Sequence, residues 1–221
     1  MATAASKNRT AAGSAGSISR ERQNSGQKTS SGRKSKTWEY IALASVPVVL
    51  VLGNSMIVPI LPTLQRELGI SSLQSSLVIT LFSLTAAFFI PIAGFLSDRF
   101  GRKSVMIPAL VIYGGAGILS GFAAVWHSYW LLLVSRAIQG IGAAGTTPIV
   151  MALTGDLYKD AEESQALGLI EAANGSGKVV SPIIGSLFAL IVWYAVFFSF
   201  SAFCLLALIA ILVWIKEPKR E

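Results

Sequence analysis

Six predominantly apolar stretches of about 20 residues, separated by short polar connections, constrain this chain more than any other feature. An α-helix rises about 1.5 Å per residue, so each stretch is long enough to cross the ~30 Å hydrocarbon core of a bilayer. They run over residues 39–62, 74–96, 104–125, 130–153, 166–190 and 195–215. Each is expected to be helical, because the bilayer interior offers no partner to an unpaired backbone group, and none shows the alternation of a barrel strand. The expected fold is an all-α integral membrane bundle of six transmembrane helices. Pro47, Pro59, Pro91, Pro108, Pro148 and Pro182 fall inside the stretches. They are expected to bend the helices, since neighbours in a membrane satisfy the freed carbonyls.

Only 13% of the residues are charged, well below the ~25% of soluble domains. A net charge of +7 raises nucleic acid as a partner, yet Lys7, Arg9, Arg20, Arg22, Lys28, Arg33, Lys34 and Lys36 all sit in one tail beside the first apolar stretch. That pattern sets membrane orientation, and no nucleic-acid partner is expected. Residues 1–36 lack any large apolar cluster and are expected to form a disordered basic tail. An organellar transit peptide shares this composition, whereas a secretory signal needs its apolar stretch nearer Met1. Arg99, Arg102, Lys103, Lys159, Lys216, Lys219 and Arg220 fall on the side of the tail, and the opposite loops carry only Arg66. Both termini are therefore expected to be cytoplasmic, in a multi-pass protein of the cell membrane. Trp126, Tyr129, Trp130, Trp193 and Tyr194 are expected to form an outer aromatic belt, with Trp38, Tyr40 and Trp214 at the inner one.

Small residues recur where helices can approach closely: Gly114, Gly117 and Gly121 in the third stretch, Gly140, Ala143, Ala144 and Thr147 in the fourth. Cys204 is the only cysteine, which excludes an intrachain disulfide, and His127, the sole histidine, has no metal-ligand cluster around it. No metal and no cofactor are expected. The run Gly175-Ser-Gly-Lys178 lacks the upstream glycine and the hydroxyl residue of a phosphate loop, and an intramembrane serine protease needs a histidine at membrane depth. The chain is not expected to be an enzyme.

The second cytoplasmic connection reads Gly94-Phe-Leu-Ser-Asp98-Arg99-Phe-Gly101-Arg102-Lys103. Its glycines keep the turn short, and Asp98 and Arg102 lie about one helical turn apart. A generic basic loop would read similarly. The sequence resembles the major facilitator superfamily, whose signature between helices 2 and 3 has the form G-x-L-x-D-R-x-G-R-K. The resemblance covers about residues 38–217 and implies one six-helix bundle of that fold, occupying 37–217, with 218–221 starting the cytoplasmic central loop. It also implies that Asp98 and Arg102 are gating residues and that Asp156, at the end of the fourth span, is their partner acid.

The fourth span carries Arg136-Ala-Ile-Gln139-Gly140-Ile-Gly142-Ala-Ala, similar to the R-x-x-Q-G-x-G-A-A motif of proton-coupled members. Arg136 lies about 9 Å from the outer end, where an arginine either snorkels to the surface or must pair or face water. The family reading makes it a participant in proton transfer. The fifth span, with Gly168, Gly177, Ser181, Pro182, Gly185 and Ser186, resembles the antiporter motif G-x(8)-G-x(3)-G-P-x(2)-G-G, with serine in place of two glycines and Lys178 as an unusual charge.

Glu171, Asn174, Lys178 and Ser181 share one helical face by their spacing, and that face is expected to look into the bundle. Glu171 is the expected partner of Lys178. The stripe reads either as a structural pair or as the wall of a substrate and proton pathway. In the first span Asn54 reads equally as a cavity residue or an interhelical hydrogen bonder, and Gly53 stands where fourteen-helix exporters carry an acid, which points to the twelve-helix branch. The resemblance implies a proton-coupled antiporter that exports drugs or other small amphipathic compounds by alternating access. A metabolite symporter and a truncated, non-transporting membrane protein are the alternatives. The partners implied are the lipid bilayer, protons, a small-molecule substrate, and either a second six-helix half or a second copy of the chain.

Overall fold

A computed structural model describes residues 40–214, apart from the Trp214 side chain. The expected basic tail, the belt role of Trp38 and of the Trp214 side chain, Lys216, Lys219, Arg220 and the loop start at 218–221 lie outside the described residues. Helix α1 spans 40–55 and leads through a turn into a single 3-10 turn, Val58–Ile60. There follow α2 (Leu61–Leu68), α3 (Ser72–Phe100), α4 (Arg102–Val125), α5 (Tyr129–Ala144), α6 (Thr147–Leu157), α7 (Asp160–Ile191) and α8 (Ala195–Trp214). No strand occurs among the described residues.

The boundaries follow from local chemistry. Pro59 and Pro62 stand in the opening positions of the 3-10 turn and of α2, where a missing N–H costs least. Pro148 does the same for α6. The first and fourth expected spans are thus each interrupted, at 56–60 and at Gly145–Thr146, whereas Pro91, Pro108 and Pro182 remain inside α3, α4 and α7. Ser71 caps α3: its Oγ accepts from the Gln74 amide at 3.2 Å while its own amide donates to Gln74 Oε1 at 2.8 Å. Gly101 alone joins α3 to α4, buried and at φ 105°, a conformation that L side chains rarely adopt. Asp160, Glu162 and Glu163 occupy the first turn of α7, where carboxylates oppose the positive end of the helix dipole.

Among the described residues, five stretches are long and apolar enough to cross a membrane: Tyr40–Leu68, Ser72–Phe100, Arg102–Val125, Tyr129–Leu157 and Ala195–Val213. Helix α7, the fifth expected span, has 32 residues and ample length, about 48 Å. It falls outside that apolar set because Glu171, Asn174, Lys178 and several small residues dilute its middle.

Helix α5 packs on both α3 and α4, and α4 packs on α8. The small residues permit these approaches. A Cβ on Gly140 would lie 2.5 Å from the Phe82 carbonyl oxygen, and one on Gly142 would lie 2.6 Å from the Tyr113 amide nitrogen. Across the α4–α8 seam, a Cβ on Gly121 would meet the Phe198 ring at 2.6 Å and one on Gly117 would meet Ser201 Oγ at 2.7 Å. Ser201 donates to the Gly114 carbonyl at 2.7 Å, the kind of side-chain bond that holds helices together where water is scarce. Trp126, Tyr129, Trp130, Trp193 and Tyr194 collect at the end of the bundle that carries His127, with Trp126 and Trp130 largely exposed. Tyr40 lies at the opposite end, stacked on Tyr158 with ring centroids 4.9 Å apart.

Candidate functional site: a buried arginine and an ion-pair cluster

The first cluster is built at the junction of α3 and α4. The abrupt Gly101 turn brings the last turn of α3 beside the first residue of α4, so Arg102 points back along α3. Its Nη1 donates to Ser97 Oγ at 2.9 Å and also pairs with Asp98 Oδ1. Its Nε donates to Asp156 Oδ2 at 3.0 Å, from the last turn of α6. The side chains are only partly covered, 21% exposed for Arg102 and 64% and 46% for Asp98 and Asp156, so water and salt screen the pairs. Three residues singled out from sequence, Asp98, Arg102 and Asp156, therefore meet in space. Ser97 joins them, and its neighbour Asp98 was the only local signal for it. Gly94 supplies the carbonyl that Ser97 Oγ donates to, at 2.8 Å. The Arg99 guanidinium lies 5.7 Å from the Phe100 ring centroid, and Lys103 stands in the first turn of α4.

The second cluster lies within the bundle, near the middle of α5. Arg136 has no solvent exposure at all, so the alternative of snorkelling to the surface does not occur. Its Nη2 donates to Asn54 Oδ1 on α1 at 3.0 Å, its Nη1 to Gln139 Oε1 at 2.5 Å, and its Nε to the Val78 carbonyl on α3 at 3.2 Å. Its guanidinium carbon stands 4.4 Å above the Phe82 ring centroid. A desolvated cation over an aromatic face gains about 2 kcal/mol or more, and a hydrogen bond to a charged group about 1.5–3 kcal/mol. The cage is neutral: no carboxylate pairs with Arg136 among the described residues. Asn54, Arg136 and Gln139, singled out separately from sequence, are thus one unit. Val78 and Phe82 complete it, and nothing in the sequence marks them, because both reach Arg136 from more than 50 positions away in the chain.

Helix α7 corrects one expectation. Ala166, Ile170, Gly177, Ser181 and Gly185 form its buried side, whereas Glu171 and Lys178 are exposed on the described bundle. No ion pair joins Glu171 to Lys178 among the described residues; Asn174 Nδ2 approaches Glu171 Oε2 at 3.4 Å instead. The physical reason is angular. At 100° per residue, Glu171 and Lys178 sit about 80–100° from the centre of the buried side, with Asn174 on its margin and Ser181 close to its centre. Of the motif residues, Gly177 faces Val51, Ser181 Oγ donates to the Leu52 carbonyl at 3.1 Å, and a Cβ on Gly185 would fall 2.6 Å from the Met56 carbonyl oxygen. The three therefore grip the stretch of α1 that carries Asn54. Pro182 lies inside α7, and Gly168 is exposed with open space around it.

Long apolar helices around a caged arginine, with an ion-pair cluster at one end, define a polytopic membrane bundle. Residues 43–221 match the Major Facilitator Superfamily, and the chain belongs to that family. It is 50% identical over 161 residues to the bacillibactin exporter of Bacillus subtilis, a match that covers 71% of this chain and 40% of that protein. It is 32% identical over 173 residues to multidrug resistance protein 1 of the same organism, covering 78% of this chain and 44% of that one. Among solved structures it resembles a bacterial homologue of the human lysosomal transporter Spinster, in an inward-facing and unoccupied conformation. The TM-score is 0.70 at 21% identity, over 85% of this chain and 44% of the other. The chain spans less than half the length of the curated relatives it matches.

Proposed function

We propose that this chain supplies the first six-helix bundle of a proton-coupled secondary transporter that exports small amphipathic compounds by alternating access. The observation that carries the reading is the neutral cage around Arg136. A charge at membrane depth is costly, and such residues are retained for ion or substrate pathways. With acceptors but no counter-ion, Arg136 can respond to protonation changes in the cavity beside it. The excess of Lys and Arg on one side of the spans supports cytoplasmic termini, and with that orientation the Asp98–Arg102–Asp156 cluster is an inner gate whose partly exposed pairs form and break as two bundles rock. Glu171 and Lys178 face away from the described packing, with Asn174 at its margin, which fits a wall of a central cavity completed by a second bundle or a second copy.

The exposed Lys178, without an ion pair among the described residues, and the similarity to a bacillibactin exporter favour a more specific cargo, bacillibactin or a compound of its kind. Everted membrane vesicles under an imposed pH gradient test both readings. Proton-driven uptake of ethidium supports general drug efflux, and uptake of bacillibactin with none of ethidium supports the narrower cargo. Movement of neither compound would remove the export reading.

A further inference from the structure

Tyr113 on α4 is among the largest fully buried side chains, and the transport reading makes no use of it. Its ring meets Phe82 edge-on, with centroids 6.5 Å apart, and Phe82 is the ring beneath Arg136. Two glycines hold it. A Cβ on Gly142 of α5 would fall 2.6 Å from the Tyr113 amide nitrogen, and a Cβ on Gly53 of α1 would fall 1.9 Å from its hydroxyl oxygen. Gly53 precedes Asn54, and Gly142 lies one helical turn beyond Gln139, so the tyrosine is clamped between the two elements that feed Arg136.

The polar ends are complementary. A guanidinium only donates, so Gln139 must turn Oε1 toward Arg136, which leaves its Nε2 as a donor on the far side. Nε2 is buried without a partner, and so is the Tyr113 hydroxyl oxygen. The two side chains are neighbours. We propose that Tyr113 is a positioning residue of the arginine cage: its hydroxyl, admitted because residue 53 is glycine, accepts a hydrogen bond from Gln139 Nε2 and fixes the amide that orients Arg136. Its consequence for coupling rests on the transport reading above; its packing does not.

A mutant cycle tests both parts in the intact protein. Gly53→Ala is expected to lower the melting temperature in detergent. Tyr113→Phe removes the atom at 1.9 Å and leaves the nearest ring carbon at 3.2 Å, so Gly53→Ala/Tyr113→Phe is expected to regain the stability of Tyr113→Phe alone. In everted vesicles, Tyr113→Phe is expected to fold and to shift the pH midpoint of ethidium efflux by about half a unit or more, with the double variant showing the same shift. Mere filling of space by the ring would leave that midpoint where it is, and an unmoved midpoint overturns the positioning role. Failure of Tyr113→Phe to restore Gly53→Ala overturns the clamp. If ethidium is not moved, the same midpoint is read on bacillibactin; movement of neither compound, or movement independent of pH, in the unmutated protein counts against the transport reading instead, and the stability rescue then decides the clamp.

Discussion

Arg136 on α5 donates to the side chain of Asn54 on α1, Nη2 to Oδ1 at 3.0 Å, across 82 positions of the chain. The contact ties the interrupted first helix to the middle of the bundle. The packed face of α7 grips the end of α1 and the turn after it through Leu52 and Met56, so displacement of α7 would be felt near the arginine's partner Asn54.

Replacing Asn54 with leucine removes the acceptor and leaves a buried guanidinium N–H unpaired. The expected loss of stability is about 1–3 kcal/mol, at the upper end because the donor is charged. Thermal melting in detergent measures it. Asn54→Asp keeps an acceptor in place and is expected to melt close to the unmutated protein near neutral pH. If both variants melt alike, the bond is not an anchor of the fold.

The cluster around Arg102 should behave in the opposite way. Its acids are substantially exposed, and pairs of that kind contribute about 0–1 kcal/mol. Asp156→Asn is therefore expected to leave the melting temperature nearly unchanged while sharply reducing transport. The charge exchange Arg102→Asp/Asp156→Arg is expected to recover part of the flux. A large loss of stability with normal flux would make the cluster a fold element and not a gate.

Glu171→Gln is expected to abolish proton-driven efflux with expression intact, since Glu171 is exposed at the edge of the packing, with Asn174 Nδ2 at 3.4 Å from its carboxylate. Vesicle flux against an imposed pH gradient is the measurement. Normal gradient-dependent efflux in that variant would take Glu171 out of the coupling pathway, leaving Arg136 to account for it without a carboxylate on α7.

Much of this organisation was legible in the sequence, for reasons that differ from residue to residue. Asp98 and Arg102 lie one turn apart on either side of a glycine, so their meeting follows from local geometry. Asp156 joined them only through the resemblance, because nothing local says where the end of α6 comes to rest. Arg136 and Gln139 are one turn apart on a single helix and were readable together, yet Val78 and Phe82 belong to the cage only through the crossing of α3 and α5. Helix α7 misled for a different cause. Polar spacing identifies a shared face without saying where that face looks, and the small residues Gly177, Ser181 and Gly185 won the packed side because they allow α1 to come close. The breaks at Pro59 and Pro148 were anticipated as bends; the structure places each proline in the opening turn of a new helical segment.

The glycines of α4 and α5 separate two effects that sequence alone confuses. A Cβ on Gly140 would stand 2.5 Å from the carbonyl oxygen of Phe82, a backbone atom that can move away only if α3 moves with it. Gly140→Ala is therefore expected to destabilise by about 1–3 kcal/mol through overpacking, and to push Phe82 away from Arg136 as it does so. Gly115 is the control, because a Cβ there meets nothing within 4 Å and its φ is not positive. Gly115→Ala is expected to be neutral or to stabilise by up to about 1 kcal/mol, since alanine loses less conformational freedom in a helix. Melting curves of the two variants, recorded in one detergent, compare them directly. Equal behaviour would mean that α3 and α5 yield at their crossing, and a crossing that yields cannot hold the Phe82 ring beneath the guanidinium.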